Sequence, residues 1–317
     1  MESKNNWKAW LYLAPVIILM AVFTFYPIVN TAVISFYKNY DSVLKTYDGF
    51  TFDNYLEILM IKPYKTLGPI EIYRDEFLTV ALPNTLILTF ITVPLSILIA
   101  LVIAIALNSI KVLQKVFQTI FFTPYVTNAI AIGMVFSVIF DNNGVFNYIF
   151  GTTGHAWIYA GSTGSAPTYW SALFALCFYI IWHSLPYKIL IFLGGLQNID
   201  KQYYDAAKVD GSSSFKIVRR ITVPLLSPQI LYITITSFIG AFKEYTSVVG
   251  LFGNEGALDA STGFGASSML TVVYYIYNQM ESSTTLQYAA AAAVVLFIII
   301  MIFTAIENQV SKKRVHY

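Results

Sequence analysis

Charged side chains are scarce in this sequence. Asp, Glu, Lys and Arg together make up 11% of its 317 residues, whereas a soluble domain carries about 25%. Hydrophobic residues account for 57% of the chain, and the mean hydropathy is +0.64. This composition leaves no room for a large soluble domain and predicts an all-α polytopic membrane protein. The net charge of +2 is too small to indicate a nucleic-acid partner.

The residue types that build catalytic and metal sites are also few. Cys177 is the single cysteine, so there is no disulfide framework. The histidines His155, His183 and His316 are far apart and do not have the spacing of metal ligands, so no metal site is expected. No glycine is followed by lysine, which excludes the phosphate-binding loop Gly-x4-Gly-Lys-Ser/Thr. We therefore expect neither an enzyme nor a bound cofactor on this chain.

Long stretches without charge locate the membrane spans, because a bilayer core requires about 20 apolar residues. The first stretch could be a secretory signal, but it is long and is followed by aromatic rather than small residues, which favours a retained helix. The pattern predicts six transmembrane helices, at residues 10–35, 83–107, 117–140, 169–193, 228–250 and 286–306.

The distribution of Lys and Arg predicts the orientation. An even number of helices places both termini on one side, together with loops 108–116 and 194–227. Five basic residues lie on the other side, Lys38, Lys45, Lys62, Lys65 and Arg74, whereas the side of the termini holds twelve, Lys4, Lys8, Lys111, Lys115, Lys201, Lys208, Lys216, Arg219, Arg220, Lys312, Lys313 and Arg314. Cytoplasmic loops carry the excess of Lys and Arg, so both termini are predicted to be cytoplasmic.

Two outer loops have features of their own. Loop 37–82 contains enough apolar positions for one short surface helix. Loop 251–285 begins with a Gly-rich segment that we expect to be flexible, and it continues with a short amphipathic element at 269–280.

The longest basic, polar segment between hydrophobic spans, residues 203–228, predicts two short helices with a break. Asp200 is a suitable N-cap for Lys201–Val209, because its carboxylate can accept from free backbone N–H groups. Gly211 can end that helix in a left-handed conformation. A serine at 212–214 can cap a second helix over 215–223, which Pro224 is expected to stop.

The same segment carries a family resemblance. Asp205-Ala206-Ala207, Gly211, Ile221 and Val223-Pro224 keep the full spacing of the pattern Glu-Ala-Ala-x3-Gly-x9-Ile-x-Leu-Pro, with Asp for Glu and Val for Leu. This pattern resembles the loop by which ABC importer permeases dock on cytoplasmic ATPases. The resemblance implies a role in ATPase coupling for seven residues, Tyr204, Asp205, Ala206, Ala207, Asp210, Gly211 and Pro224.

Four further stretches narrow the resemblance. Residues 10–37, 121–140, 238–252 and 287–303 resemble, in this order, helices of the first permease subunit of carbohydrate importers, the group with the maltose and glycerol-3-phosphate systems. The implied fold is that of a type I ABC importer permease. The implied division is an N-terminal helix with its outer loop (1–82), a permease core (83–306, with coupling loop 200–224) and a basic cytoplasmic tail (307–317).

The resemblance also implies partners and a location. The partners are a second homologous permease, two ATPases that bind ATP and Mg²⁺, an extracytoplasmic solute-binding protein and a sugar. The location is the plasma membrane of a prokaryote, with several passes through the bilayer. The outer loop after the fifth helix departs from the short Gly-Gly-Pro turn of the family, which leaves the substrate open.

A few ionisable residues lie inside predicted spans, where they usually face a cavity or a partner. Lys243, Glu244 and Tyr245 are candidates for the substrate path, and the alternative for Lys243 and Glu244 is pairing between subunits or at the membrane interface. Lys188 is expected to snorkel toward the cytoplasmic end of the fourth helix. His183 is expected to be a packing residue with its hydrogen bonds satisfied.

Three alternatives remain open at this stage. A permease for another solute, such as a polyamine or phosphate, would share the coupling loop. A secondary transporter should carry inverted repeats and broken helices, and neither is evident in the sequence. A membrane enzyme would require clustered His, Asp or Glu, and none is visible.

Overall fold

The computed structural model describes residues 6–67, 70–73, 76–110, 114–152, 154–158, 167–253 and 269–311. The Gly-rich part of the predicted flexible loop, at 254–268, and the end of the basic tail, at 312–317, lie outside the described residues. The described chain divides into two compact units. One contains Met1–Leu78 and Tyr275–Ile298, and the other contains Thr79–Tyr274 and Ile299–Tyr317.

The first unit begins with a long apolar helical stretch. Helix α1 (Asn6–Met20) continues through a π-helical segment (Ala21–Phe25) into α2 (Tyr26–Ile34). No residue between 10 and 34 is buried within the described chain. An apolar helix without protein partners is stable only where lipid or another chain covers it, as expected for a membrane span.

The segment of the first unit that follows α2 contains the predicted short helix, α3 (Asp53–Ile58). The buried Asn54 side chain donates to the carbonyl oxygens of Ser35 (2.8 Å) and Tyr37 (2.9 Å), which joins α3 to the end of α2. Lys62 Nζ lies 2.7 Å from the Asp53 carboxylate, and this bond lowers the pKa of the Asp53 carboxyl below its ordinary value.

A two-stranded antiparallel hairpin follows, which the all-α prediction did not include. Strand β1 (Lys65–Leu67) pairs with β2 (Ile70–Ile72), with Lys65 opposite Ile72. Each strand has only three residues, too few to produce a recognisable alternation of apolar and polar positions.

The second unit is built on two long helices. A π-helical segment (Glu76–Ala81) leads into α4 (Leu82–Ser109), and α8 spans Tyr169–Gln197. Ala100 and Ala104 of α4 pack in one core with Phe192 and Leu193 of α8. Small alanines allow two membrane helices to approach closely, which fixes α4 and α8 as a frame for the rest of the unit.

The remaining helices, in chain order, are α5 (Gln114–Val126), α6 (Ala129–Ile139), α7 (Val145–Phe150), α9 (Lys201–Val209), α10 (Ser214–Ile217), α11 (Val223–Leu225), α12 (Ser227–Phe242), α13 (Thr246–Phe252), α14 (Val272–Glu281) and α15 (Leu286–Ser311). Helix α14 corresponds to the short amphipathic element predicted at 269–280 and starts three residues later.

Two of the six predicted spans are not single helices. The predicted span 117–140 is interrupted between α5 and α6, where the Asn128 side chain accepts from the backbone N–H groups of Ile130 (2.9 Å) and Ala131 (3.3 Å) and so starts a new helix. The predicted span 228–250 is interrupted between α12 and α13. At both interruptions a side chain accepts from the first turn of the following helix, Asn128 before α6 and Glu244 before α13, and so favours a new helix start.

Four described helical stretches are long and apolar enough to cross a membrane: Trp10–Ile34, Glu76–Ser109, Tyr169–Gln197 and Leu286–Val310. A fifth is obtained if Ser214–Leu225 and Ser227–Phe242, which meet at a bend of 68°, count as one span. Together with the 11-residue α6, they confirm a helical protein with several apolar helices; a count of six spans and the placement of both termini stay predictions.

Candidate functional site

The segment that carries the family pattern folds as the local signals predict. Asp200 Oδ1 accepts from the backbone N–H of Gln202 (2.9 Å) and caps α9. Gly211 has φ +68°, and its N–H donates to Lys208 O (3.0 Å), which ends the helix. Ser213 Oγ then accepts from Lys216 N (3.4 Å) and starts α10. A sharp turn at Gly211 therefore separates two short helices.

One expectation for this segment is wrong: Pro224 does not stop the second helix. The helical conformation runs from α10 through a π-helical segment (Val218–Thr222) into α11 and ends at Leu225. Pro224 follows the π-helical segment directly and lies in the first turn of α11, a position that proline commonly occupies. The chain bends only at Leu226, between α11 and α12.

The two short helices enclose an open groove of about 630 Å³. Tyr203 and Ala206 line it from α9, Asp210 lines it from the position directly after α9, and Lys216 and Arg220 line it from the second helix. The groove therefore presents small, acidic and basic surfaces side by side.

The segment exposes large apolar side chains. Tyr203 is 56% exposed, Phe215 75% and Val209 88%, although all three lie in the polar stretch between α8 and α12. Exposed apolar residues on a polar surface are typical of a docking site for another protein or a membrane.

The predicted coupling residues occupy different positions in this arrangement. Asp205 is exposed, with Lys208 Nζ 3.8 Å from its carboxylate, and Ala206 is exposed beside the groove. Ala207 is buried and also lines the groove. Tyr204 Oη lies 3.3 Å from Thr222 Oγ1 and joins α9 to the second helix. Tyr204 thus holds the two helices together, whereas Asp205 and Ala206 are exposed and can contact a partner.

The three candidate residues of the substrate path lie in the interruption between α12 and α13. Lys243 is exposed. Glu244 Oε1 accepts from Ser247 N (3.0 Å), so this carboxylate caps α13. The Tyr245 ring packs edge-on against Tyr274, with centroids 5.6 Å apart. The three residues are adjacent in sequence, but only Lys243 extends from the surface of the second unit.

The helices that follow the two interruptions, α6 and α13, pack against each other. Helices α6 and α13 pack so closely that a β-carbon added to Gly133 would lie 2.6 Å from Gly250 Cα. Tyr179 of α8 donates to the carbonyl oxygen of Ala129 at the start of α6. Residues 127 and 128 in the first interruption and Lys243 in the second are exposed on this unit, and irregular backbone at membrane depth is tolerated only where it is buried in protein or lines a cavity.

Sequence reasoning missed a tyrosine cluster. The rings of Tyr125 (α5) and Tyr187 (α8) are stacked with centroids 5.6 Å apart, and Tyr187 Oη lies 2.9 Å from Tyr232 Oη of α12. Tyr125 and Tyr232 are both nearly half exposed. Because the chain contains 23 tyrosines, composition could not single out these three, which only the packing of three helices brings together.

The structure also corrects the expectations for two ionisable residues of α8. Lys188 does not snorkel: it is 5% exposed, and its Nζ donates to Ser96 Oγ (2.6 Å) and Ser184 Oγ (3.1 Å). These bonds draw the ammonium inward, toward α4. His183 packs beside Tyr179, but its buried Nε2 has no hydrogen-bond partner among the described residues, so it is not the satisfied histidine that was expected.

The chain belongs to the family described as binding-protein-dependent transport system inner membrane component, whose model matches residues 93–316. It is thus the membrane-spanning permease subunit of an ABC importer, and a multi-pass membrane protein. This confirms the resemblance to ABC importer permeases that was drawn from the coupling-loop pattern.

Curated relatives agree with this assignment. The chain is 31% identical to the lactose transport system permease protein LacF of Rhizobium radiobacter, over 86% of this chain and 82% of that protein. It is 30% identical to the arabinooligosaccharides transport system permease protein AraP of Halalkalibacterium halodurans, over 84% of each chain.

A solved structure has the same fold. A chain in the crystal structure of a bacterial ABC transporter involved in the import of alginate, an acidic polysaccharide, matches with a TM-score of 0.71 at 18% identity. The match covers 98% of this chain and 96% of that chain.

Proposed function

We propose that this chain pairs with a second, homologous permease to form the translocation path for a sugar or oligosaccharide, and that two cytoplasmic ATPases drive transport through the 203–224 loop. An extracytoplasmic binding protein delivers the solute. In support, the relatives are named for lactose and arabinooligosaccharides, and an alginate transporter of the same fold has been crystallised with a saccharide-bound periplasmic protein.

The observation that carries the coupling proposal is the loop itself. Its two helices are joined by the Gly211 turn and by the Tyr204–Thr222 contact, so the loop can move as one body. The second helix continues into α12 after a single bend. A displacement of the loop by an ATPase is therefore passed directly to a membrane helix, as packed elements switch between discrete arrangements.

The tyrosine cluster is the proposed sugar-contacting surface. Aromatic faces stack on sugar rings, and phenolic hydroxyls both donate and accept hydrogen bonds. Lys243 adds an exposed donor in the interrupted part of the fifth predicted span. The neighbouring residues stabilise the backbone at this position: Tyr245 packs against the Tyr274 ring, and Glu244 caps α13.

The proposed location is the plasma membrane of a prokaryote, with the 203–224 loop and both termini in the cytoplasm. The excess of Lys and Arg on that side supports this orientation. ATP and Mg²⁺ bind to the ATPases. The proposed division of this chain is an N-terminal part, a permease core and a tail.

The test compares two substitutions of Gly211 in the reconstituted transporter. A β-carbon at this position would meet no atom within 4 Å, so only the backbone angle matters. Valine is strained at φ +68° by about 1–2 kcal/mol, which corresponds to about a 5- to 30-fold lower population of the observed turn. Asparagine tolerates this conformation.

We expect Gly211→Val to insert in the membrane normally and to lose most ATP-driven uptake, and Gly211→Asn to retain it. Uptake of a radiolabelled oligosaccharide and ATP hydrolysis are measured on the same vesicles. Equal uptake by the two variants would contradict the coupling role of this loop.

A further inference from the structure

The helix that follows the Gly211 turn has an unusual direction. The helical stretch Ser214–Leu225, called here the interfacial segment, meets Ser227–Phe242 at 68°. Membrane helices tilt from the bilayer normal by about 20° on average. If Ser227–Phe242 crosses the membrane in this way, the interfacial segment lies closer to the membrane plane than to the normal.

The interfacial segment is basic and has no acidic residue of its own. Lys216, Arg219 and Arg220 are all exposed. Asp and Glu are absent from the sequence between Asp210 and Glu244. Among the residues that the structure describes, none of the three basic side chains forms an ion pair. Their charges are therefore available to an anionic partner.

The charged residues divide between two faces. Lys216 and Arg220 line the groove toward α9, whereas Phe215 and Arg219 do not. Phe215 and Arg219 are four residues apart, so they lie next to each other on one side of the helix. Phe215 is 75% exposed. This face thus combines a large exposed aromatic ring with an unpaired guanidinium.

We propose that Phe215 and Arg219 bind the headgroup region of an anionic phospholipid in the cytoplasmic leaflet. The Arg219 guanidinium would form paired hydrogen bonds to the lipid phosphate, and the Phe215 ring would lie among the upper acyl chains. The proposal rests on the orientation given under the proposed function. It assigns the groove face to the ATPases and the Phe215 face to the membrane, so that lipid guides the loop as it moves.

The first experiment locates the Phe215 face directly. Spin labels are attached to Phe215→Cys and, as a control, to Val209→Cys at the end of α9, in chains that also carry Cys177→Ser. The reconstituted permease is measured with and without its ATPases, and collisions with oxygen report lipid whereas collisions with a nickel chelate report water.

We expect the label at 215 to be accessible to oxygen in both states. A label at 215 that is accessible to nickel, or that loses access to both reagents when the ATPases bind, would overturn the proposal by placing Phe215 in water or on the ATPase. The label at 209 tests the coupling proposal separately, because it should lose access to nickel when the ATPases bind.

The second experiment tests the charge. Native mass spectrometry measures the retention of phosphatidylglycerol and of phosphatidylcholine by the purified transporter. Arg219→Gln should lower phosphatidylglycerol retention by roughly fivefold, the effect of one basic residue at an anionic surface. Lys201→Gln, which removes an exposed charge from α9, should not. Equal losses in the two variants, or equal retention of both lipids by the unmodified protein, would refute a specific site.

Discussion

The close contact between α6 and α13 makes a quantitative prediction. A β-carbon at Gly133 would lie 2.6 Å from Gly250 Cα and 2.7 Å from its carbonyl carbon. Carbon atoms in contact are about 3.5–4.0 Å apart, so Gly133→Ala requires the two helices to separate by about 1 Å. The obstructing atoms belong to the backbone and cannot turn aside, and such overpacking costs about 1–3 kcal/mol.

Gly240→Ala is the matched control, because nothing lies within 4 Å of its added β-carbon. Alanine favours a helix over glycine by up to about 1 kcal/mol, and this gain is common to both variants. The difference in the free energy of unfolding between them, measured by denaturation in detergent, therefore isolates the packing cost. Equal values for the two alanine variants would refute the Gly133–Gly250 contact and the joining of the two interruptions through it.

Two further predictions concern the loop after α6 and the interruption before α13. Asn147 is fully buried. Its side chain donates to three backbone carbonyls, and its Oδ1 accepts from Trp157 Nε1. Asn147→Asp should therefore lower the free energy of unfolding by about 3 kcal/mol, at about 1 kcal/mol per lost bond, as followed through Trp157 fluorescence, whereas Asn143→Asp at an exposed position should be a near-neutral control. Lys243→Met should raise the KM for uptake about tenfold, because one charge-assisted hydrogen bond to the solute is lost, and it should leave ATPase assembly unchanged. Unaltered uptake kinetics would assign Lys243 to a structural role.

Local signals predicted the coupling loop well. The caps at Asp200 and Ser213 and the turn at Gly211 depend on side chains within three residues of the atoms they bind, so their sequence is sufficient to specify them. Pro224 was the exception, because a π-helical segment before it moved the proline to a position where a helix tolerates it.

The interior of the protein was predicted less well, because its polar positions depend on neighbours distant in the chain. Lys188 lies next to Ser96, 92 residues away, and the Tyr187–Tyr232 contact spans 45 residues. The apolar stretch that predicted the third span gave no sign of its interruption, because Asn128 caps a helix only when the chain has already turned there. In the fifth span Lys243 and Glu244 marked the place, but the sequence did not show that Glu244 would cap a helix.

The sequence by itself determined a helical membrane protein, a conclusion that rests on composition, and a loop of two short helices, which rests on contacts between near neighbours. The assignment of that loop to ABC permeases came from a resemblance. The tertiary structure decided which polar groups face inward, where the two predicted spans are interrupted and which face of the loop remains uncovered. These features depend on the close packing of α4, α8 and α12 and of α6 and α13, and packing between helices is set by shape at points that no local pattern in the chain encodes.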